Sequence, residues 1–199
     1  MEDCGDGNEG LEDGSPHGLA GVRKEVNMAT PKLIVVAIKY PPDNYFGKLI
    51  EKFEGLGWSH VYPIINWDNG LKDCWNIGGW FRKWYRTTPE ALEEASQGVY
   101  IPVKKWEITL SEGEAIVLSS TWNSFIGRGY GIGRVLLLPL YRLTKWKWVA
   151  NLAGLTCSGG TARGLAAAWM WGMSISPGMS GLKELAEQLD DLERVSKGS

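Results

Sequence analysis

An uninterrupted apolar run near the start of this 199-residue chain sets the strongest limit on its fold. Residues 32–38 read Lys-Leu-Ile-Val-Val-Ala-Ile, and β-branched side chains dominate them. A run of this length and composition favours a buried strand, because core strands span about four to eight residues. We therefore predict that folded structure begins with this strand.

The residues before this strand have a different composition. Residues 1–30 contain six glycines, seven acids and two bases, with few large apolar side chains. Such a segment cannot bury enough surface to offset the entropy lost on ordering. We predict a flexible acidic tail over residues 1–30 and a single domain over residues 31–199. A protein partner for the tail is one role that this division leaves open.

The remaining pattern alternates short strands with short helices. Strands are predicted at residues 58–65, 71–77 and 99–109, and helices at residues 45–54, 88–96, 111–126, 156–173 and 180–195. The turn sequence Asp-Asn-Gly at residues 68–70 predicts that the strands on either side of it form a hairpin. The chain is therefore predicted to be an α+β fold with a small, mostly antiparallel sheet packed against helices.

Charge and cysteine spacing exclude several classes of function. The chain carries a net charge of −2, and the first 30 residues carry −5, which leaves +3 for the rest. That surplus is too small to predict nucleic-acid binding, which usually needs a clustered basic face. The three cysteines show no CxxC spacing and no disulfide framework. We expect no metal, no cofactor and a reducing compartment.

The most apolar stretch of the C-terminal half is too short to cross a membrane. Residues 135–140 are flanked by arginine and lysine, so we predict no transmembrane segment. The N-terminus has no basic, apolar pattern typical of a signal peptide. These features predict a soluble protein, cytoplasmic or virion-associated. The segment Lys145-Trp146-Lys147-Trp148 leaves open a surface contact with a membrane or cell wall.

One histidine and one cysteine stand out as candidate catalytic residues. The chain has two histidines, and His17 falls in the predicted tail, so His60 is the imidazole available to the domain. Cys157 opens a predicted helix, where free N–H groups and the helix dipole favour a thiolate and lower the pKa. A thiol and an imidazole are the minimum for a cysteine nucleophile. The alternative is a small buried residue packing the helix start; Cys74, the rival thiol, lies mid-strand.

A carboxylate across the hairpin is the candidate third residue. If the register follows the turn at 68–70, Asp73 is turned toward His60, while Cys74 faces the other way. Asp73 would then orient the imidazole and raise its pKa. Asn76 is the nearest substitute, and it shares the face of Cys74.

Two glycines in the first turn of the candidate nucleophile helix need an explanation. Gly159 and Gly160 each cost about 1 kcal/mol relative to alanine inside a helix. We expect a strand or a substrate to approach the helix closely there.

Four short segments, taken in order, resemble the circularly permuted NlpC-type papain-like cysteine hydrolases. The segments are Ser59-His60-Val61, Asp73-Cys74-Trp75, Gly127-Arg128-Gly129-Tyr130-Gly131 and Cys157-Ser158. The resemblance covers about residues 32–190, including the Ile-Ser-Pro-Gly turn at 175–178. It implies a papain-like fold, with Cys157 as nucleophile, His60 as general base and acid, and Asp73 as the orienting residue. The chain departs from the family at Gly159, where an acid often follows, and at Asp73, where Glu is frequent.

The resemblance also implies a reaction. We expect a cysteine peptidase or amidase that cleaves an amide bond, in a peptidoglycan-type peptide or an acyl amide, through an acyl-enzyme. Two alternatives remain: a structural or assembly component, such as a phage virion protein, with a hydrolase-like fold and little activity, and an acyltransferase at a membrane surface.

Overall fold

A computed structural model describes residues 30–77, 83–131, 133, 137, 155–169 and 181–198. Three predicted features lie outside the described residues: the acidic tail except for Thr30, the Lys/Trp segment at 145–148 and the turn at 175–178.

The described strands form one five-stranded sheet. Its strands are β1 (Lys32–Lys39), β2 (His60–Asn66), β3 (Lys72–Ile77), β4 (Trp84–Thr87) and β5 (Ile101–Thr109). They lie in the order β4-β3-β2-β1-β5, and every neighbouring pair is antiparallel. The sequence pattern located four of these strands, including the buried strand β1. It missed β4, because four residues are too few to show a period.

Five helices occur within the described residues. They are α1 (Tyr45–Glu54), α2 (Pro89–Ser96), α3 (Glu112–Asn123), α4 (Cys157–Ala168) and α5 (Leu182–Gly198). Side-chain caps fix the starts of α1, α2, α3 and α4. Thr88 accepts a hydrogen bond from an α2 backbone N–H, and Ser111 forms a capping box with Glu114 at α3. The predicted α+β class with a mostly antiparallel sheet is confirmed. None of the helices in the described ranges is both long and apolar enough to cross a bilayer.

Strand alternation divides the core between the two faces of the sheet. Val35 and Val61 belong to the larger cluster, which also contains buried residues of α3, α4 and α5. Ile64 and Cys74 belong to a smaller cluster on the opposite face, together with Leu92 of α2. The face on which a strand residue lies therefore decides which set of helices it meets.

Two tryptophans pack against α4 and explain its glycines at positions 160 and 164. A Cβ on Gly160 would lie 2.6 Å from the Trp84 ring, and a Cβ on Gly164 would overlap the Trp122 indole. Trp122 Nε1 also donates a hydrogen bond of 3.1 Å to the Gly160 carbonyl. The expected close approach at Gly160 is therefore made by the Trp84 side chain of strand β4.

The Gly/Tyr segment at residues 127–131 ties the start of α4 to the sheet. The Trp84 N–H donates to the Arg128 carbonyl at 2.9 Å, so the segment runs beside β4. The Leu155 N–H donates to the Gly129 carbonyl at 2.9 Å, two residues before Cys157. The segment before Cys157 is therefore anchored to β4, the neighbour of β3 in the sheet.

Candidate thiol and imidazole site

His60 begins β2, and the pairing of β2 with β3 decides its neighbours. The register places Ile64 opposite Cys74, so Cys74 and Asn76 share the face of His60. His60 Nε2 lies 2.7 Å from Asn76 Oδ1, and this contact is buried. The side chain that meets the imidazole is therefore Asn76.

Asp73 points to the other face, so the prediction that it is turned toward His60 was wrong. It lies opposite Ile65, a core residue on the far side of the sheet from His60. Its carboxylate accepts hydrogen bonds from Trp67 Nε1 at 2.9 Å and from Arg86 Nη2 at 2.6 Å. The turn at 68–70 indicated a hairpin correctly but did not fix which face each strand residue occupies.

Asn76 is itself held by two tyrosines. Its side chain is fully buried, and Nδ2 donates to the Tyr85 hydroxyl at 3.0 Å and to the Tyr100 hydroxyl at 3.5 Å. Because Nδ2 donates to the tyrosines, Oδ1 is the Asn76 atom that faces His60 and accepts its hydrogen bond. A carbonyl oxygen can only accept, so Nε2 carries the proton and Nδ1 keeps its lone pair. The pair thus fixes a tautomer whose Nδ1 can act as a base.

Burial controls the charge of His60. The side chain is 3% exposed, and the loss of solvent lowers the pKa of His60 to about 4, although the Asn76 hydrogen bond raises it. The expected increase from a neighbouring carboxylate does not occur, because Asp73 lies on the other face. The imidazole is therefore neutral at pH 7 and able to accept a proton.

Cys157 is the first residue of α4, directly after the N-cap Thr156. Thr156 Oγ1 accepts a hydrogen bond of 2.9 Å from the Gly159 N–H. The thiol side chain is 3% exposed, and burial raises the pKa of Cys157 to about 11. Backbone hydrogen bonds from Val61 and Ser158 lower the pKa but do not offset burial. The prediction of a lowered pKa at the helix start was wrong, because desolvation outweighs the N–H groups.

A hydrogen bond with the Val61 backbone places the Cys157 thiol near the start of β2. The His60 side chain lies on the face of Ile64 and Cys74, whereas Cys157 packs in the cluster on the opposite face. Val61 follows His60 directly in the chain, and its backbone N–H is a hydrogen-bond partner of Cys157. Val61 and Cys157 also pack in one core cluster. The structure therefore places Cys157 beside the first peptide unit of the strand that carries His60.

Tyrosines that the sequence analysis did not consider surround this corner. The rings of Tyr40 and Tyr100 lie 6.0 and 6.1 Å from the imidazole, centroid to centroid, and the two hydroxyls share a hydrogen bond. Burial raises the pKa of Tyr40 and of Tyr130, and interaction with Cys157 raises both further. All three come from separate parts of the chain, so no local pattern indicates them.

A cavity of about 260 Å³ adjoins the imidazole. His60 lies in its wall, together with Tyr40, Tyr85, Tyr100 and Tyr130. Tyr40 and Tyr130 also interact with the Cys157 thiol, so the cavity and the sulfur have these two tyrosines as common neighbours.

The other described cysteine has no activating surroundings. Cys74 is buried in the smaller cluster, and burial raises its pKa far above that of a free thiol. Among the described residues, no three His, Cys, Asp or Glu side chains converge in a way that could hold a metal ion.

No family model, curated protein or solved structure matches this chain. The geometry of the chain's own residues is therefore what indicates its function.

Proposed function

We propose that the protein is a cysteine-dependent hydrolase that cleaves an amide bond through an acyl-enzyme, with Cys157 as nucleophile and His60 as general base. Asn76 takes the orienting role that the sequence analysis gave to Asp73. The observation that carries the proposal is the buried 2.7 Å contact between His60 and Asn76, at the end of β2 where the Val61 N–H meets Cys157.

In the first half of the reaction, the Cys157 sulfur attacks the amide carbonyl carbon while His60 Nδ1 takes the thiol proton. Asn76 holds Nε2–H throughout, so the imidazolium keeps its orientation. We assign the role of oxyanion donors to the backbone N–H groups of Val61 and Ser158, whose hydrogen bonds stabilise the Cys157 thiolate. The C–N bond then breaks, and the imidazolium returns its proton to the leaving amine.

In the second half, water attacks the thioester carbonyl, and His60 accepts a proton from that water. The C–S bond breaks, and the thiol recovers its proton from the imidazolium. The net reaction consumes one water and releases a carboxylic acid and an amine. It requires no oxidant, metal or organic cofactor.

The order of elements supports a papain-like arrangement as part of this proposal. A cysteine opens a helix that packs on an antiparallel sheet, and the histidine and its orienting residue lie on adjacent strands of that sheet. Cys-His-Asn is a known variant of the nucleophile, base and orienting residue.

Burial of the thiol favours a second candidate. Cys157 is 3% exposed and has a pKa raised to about 11, which suits a structural or assembly component, such as a virion protein, that keeps a hydrolase-like fold with little activity. The two candidates differ in whether Cys157 ever carries an acyl group.

Intact-mass analysis after incubation with an activated ester, such as 4-nitrophenyl hexanoate, separates them. The hydrolase predicts a mass increase of one hexanoyl group on wild-type protein, mapped to Cys157 and lost in Cys157→Ala. The control Cys74→Ala retains the adduct, because Cys74 has no base beside it. Absence of both an adduct at Cys157 and Cys157-dependent release of 4-nitrophenol at pH 7–10, with the protein folded, would refute the hydrolase.

A further inference from the structure

The cavity beside His60 has no formal charge among the described residues that line it. Those residues include no aspartate, glutamate, lysine or arginine, and the one imidazole is neutral at pH 7. Several of the polar groups in the wall already have partners: Asn44 caps α1, and the Tyr85 and Tyr100 hydroxyls bond to Asn76. The cavity therefore offers aromatic and apolar surface, and its described lining residues include no cation to pair with a carboxylate.

The size of the cavity limits what can enter it. Its volume is about 260 Å³, and one water-sized group occupies ~30 Å³, so the cavity accommodates about nine non-hydrogen atoms. That corresponds to an aromatic side chain or a medium-length alkyl chain. It is too small for a sugar chain or a folded peptide segment.

The position of the cavity suits the acyl part of the substrate, on the carbonyl side of the scissile amide bond. His60 lies in its wall, and so does Tyr130, whose backbone pairs with Leu155, two residues before Cys157. A carbonyl that reaches the sulfur at this wall directs one substituent into the cavity. That substituent is the acyl chain, since the amine must remain free to leave.

We infer that the substrate's acyl group is uncharged and apolar or aromatic, with up to about nine non-hydrogen atoms, and that it occupies this cavity. The inference builds on the proposed hydrolase and selects among its substrate classes. Acyl groups that carry a carboxylate, as in peptidoglycan stem peptides, are excluded, because burying an unpaired carboxylate carries a large desolvation cost.

A series of 4-nitroanilides that differ only in the acyl group tests this inference. We expect kcat/KM for the hexanoyl and hydrocinnamoyl compounds to exceed that of the glutaryl compound, a near-isostere of hexanoyl, by about 100-fold. Equal or better turnover of the glutaryl or the γ-D-glutamyl anilide would overturn the inference while leaving the hydrolase intact.

A matched pair of variants on α2 tests the location. Ala95 lines the cavity at an exposed position, whereas its neighbour Glu94 is exposed and outside it. Ala95→Trp should lower the ratio of kcat/KM for the hydrocinnamoyl compound to that for the acetyl compound by about tenfold. Glu94→Trp should leave this ratio unchanged. Equal behaviour of the two variants would show that the acyl chain binds elsewhere.

Binding measurements separate failure of the inference from failure of the proposed function. Calorimetry with Cys157→Ala should show hexananilide binding more tightly than glutaranilic acid. If no anilide is turned over by the wild type but this preference is present, the hydrolase fails and the cavity assignment stands. If glutaranilic acid binds equally well, the cavity assignment fails whatever the turnover.

Discussion

The pH dependence of Cys157 alkylation follows directly from the burial of the thiol. A pKa of about 11 leaves ~10⁻⁴ of the thiol ionised at pH 7, whereas an ordinary cysteine with a pKa near 8.5 is about 3% ionised. Ionisation alone therefore makes Cys157 about 300-fold slower to alkylate than a free thiol at pH 7. Its rate should rise about tenfold for each pH unit up to pH 10.

The assay is the iodoacetamide rate at pH 6–10, resolved by peptide mass spectrometry and compared with glutathione. A neutral His60, with a pKa of about 4, forms no ion pair with the thiol, so His60→Gln should leave the midpoint of the profile in place. A rate that is already high and flat between pH 6 and 9 would mean that a thiolate–imidazolium pair exists. That result would refute the reasoning that burial dominates both groups.

Three further predictions concern the residues around the site. Asn76→Ala should lower kcat by about 100-fold with the circular dichroism spectrum unchanged, because the imidazole loses its orienting acceptor; unchanged kcat would remove Asn76 from the site. Asp73→Asn should leave kcat unchanged and lower the free energy of unfolding, measured with urea, by up to about 1 kcal/mol. A large loss of turnover would restore Asp73 to the site. Gly164→Ala should lower the free energy of unfolding by ~2 kcal/mol, since overlap with Trp122 outweighs the gain in helix propensity. The control Gly113→Ala, with open space around it, should raise the free energy of unfolding by up to ~1 kcal/mol. A change of the same sign in both variants would contradict the packing described for α4.

Local patterns were sufficient for most of the elements. The β-branched run predicted β1, and the apolar spacing of residues 45–54 predicted α1 to within its observed bounds. Both signals reside within a single element, so no tertiary information is needed to recognise them. β4 was missed because its four residues are defined by pairing with β3 rather than by their own pattern.

Only part of the candidate site could be predicted from local sequence. His60 and Cys157 could be chosen because few residues of their chemistry exist in the chain. The third residue depended on the register of β2 with β3, which a turn sequence constrains to within one residue at best, and a one-residue change exchanges Asp73 for its neighbours. The pKa values of His60 and Cys157 could not be predicted, because they depend on burial, which arises only when separate segments assemble into the core.

Chemical bridging of the two central residues tests the account most directly. 1,3-Dibromoacetone alkylates a thiol and then a nearby nucleophile, so its three-carbon bridge forms only between side chains in close proximity. At pH 9, followed by digestion and peptide mass spectrometry, the account predicts a covalent link between Cys157 and His60 that disappears in His60→Gln. Alkylation of Cys157 without a link to His60, or with a link to a different residue, would contradict the claim that the two form one catalytic unit.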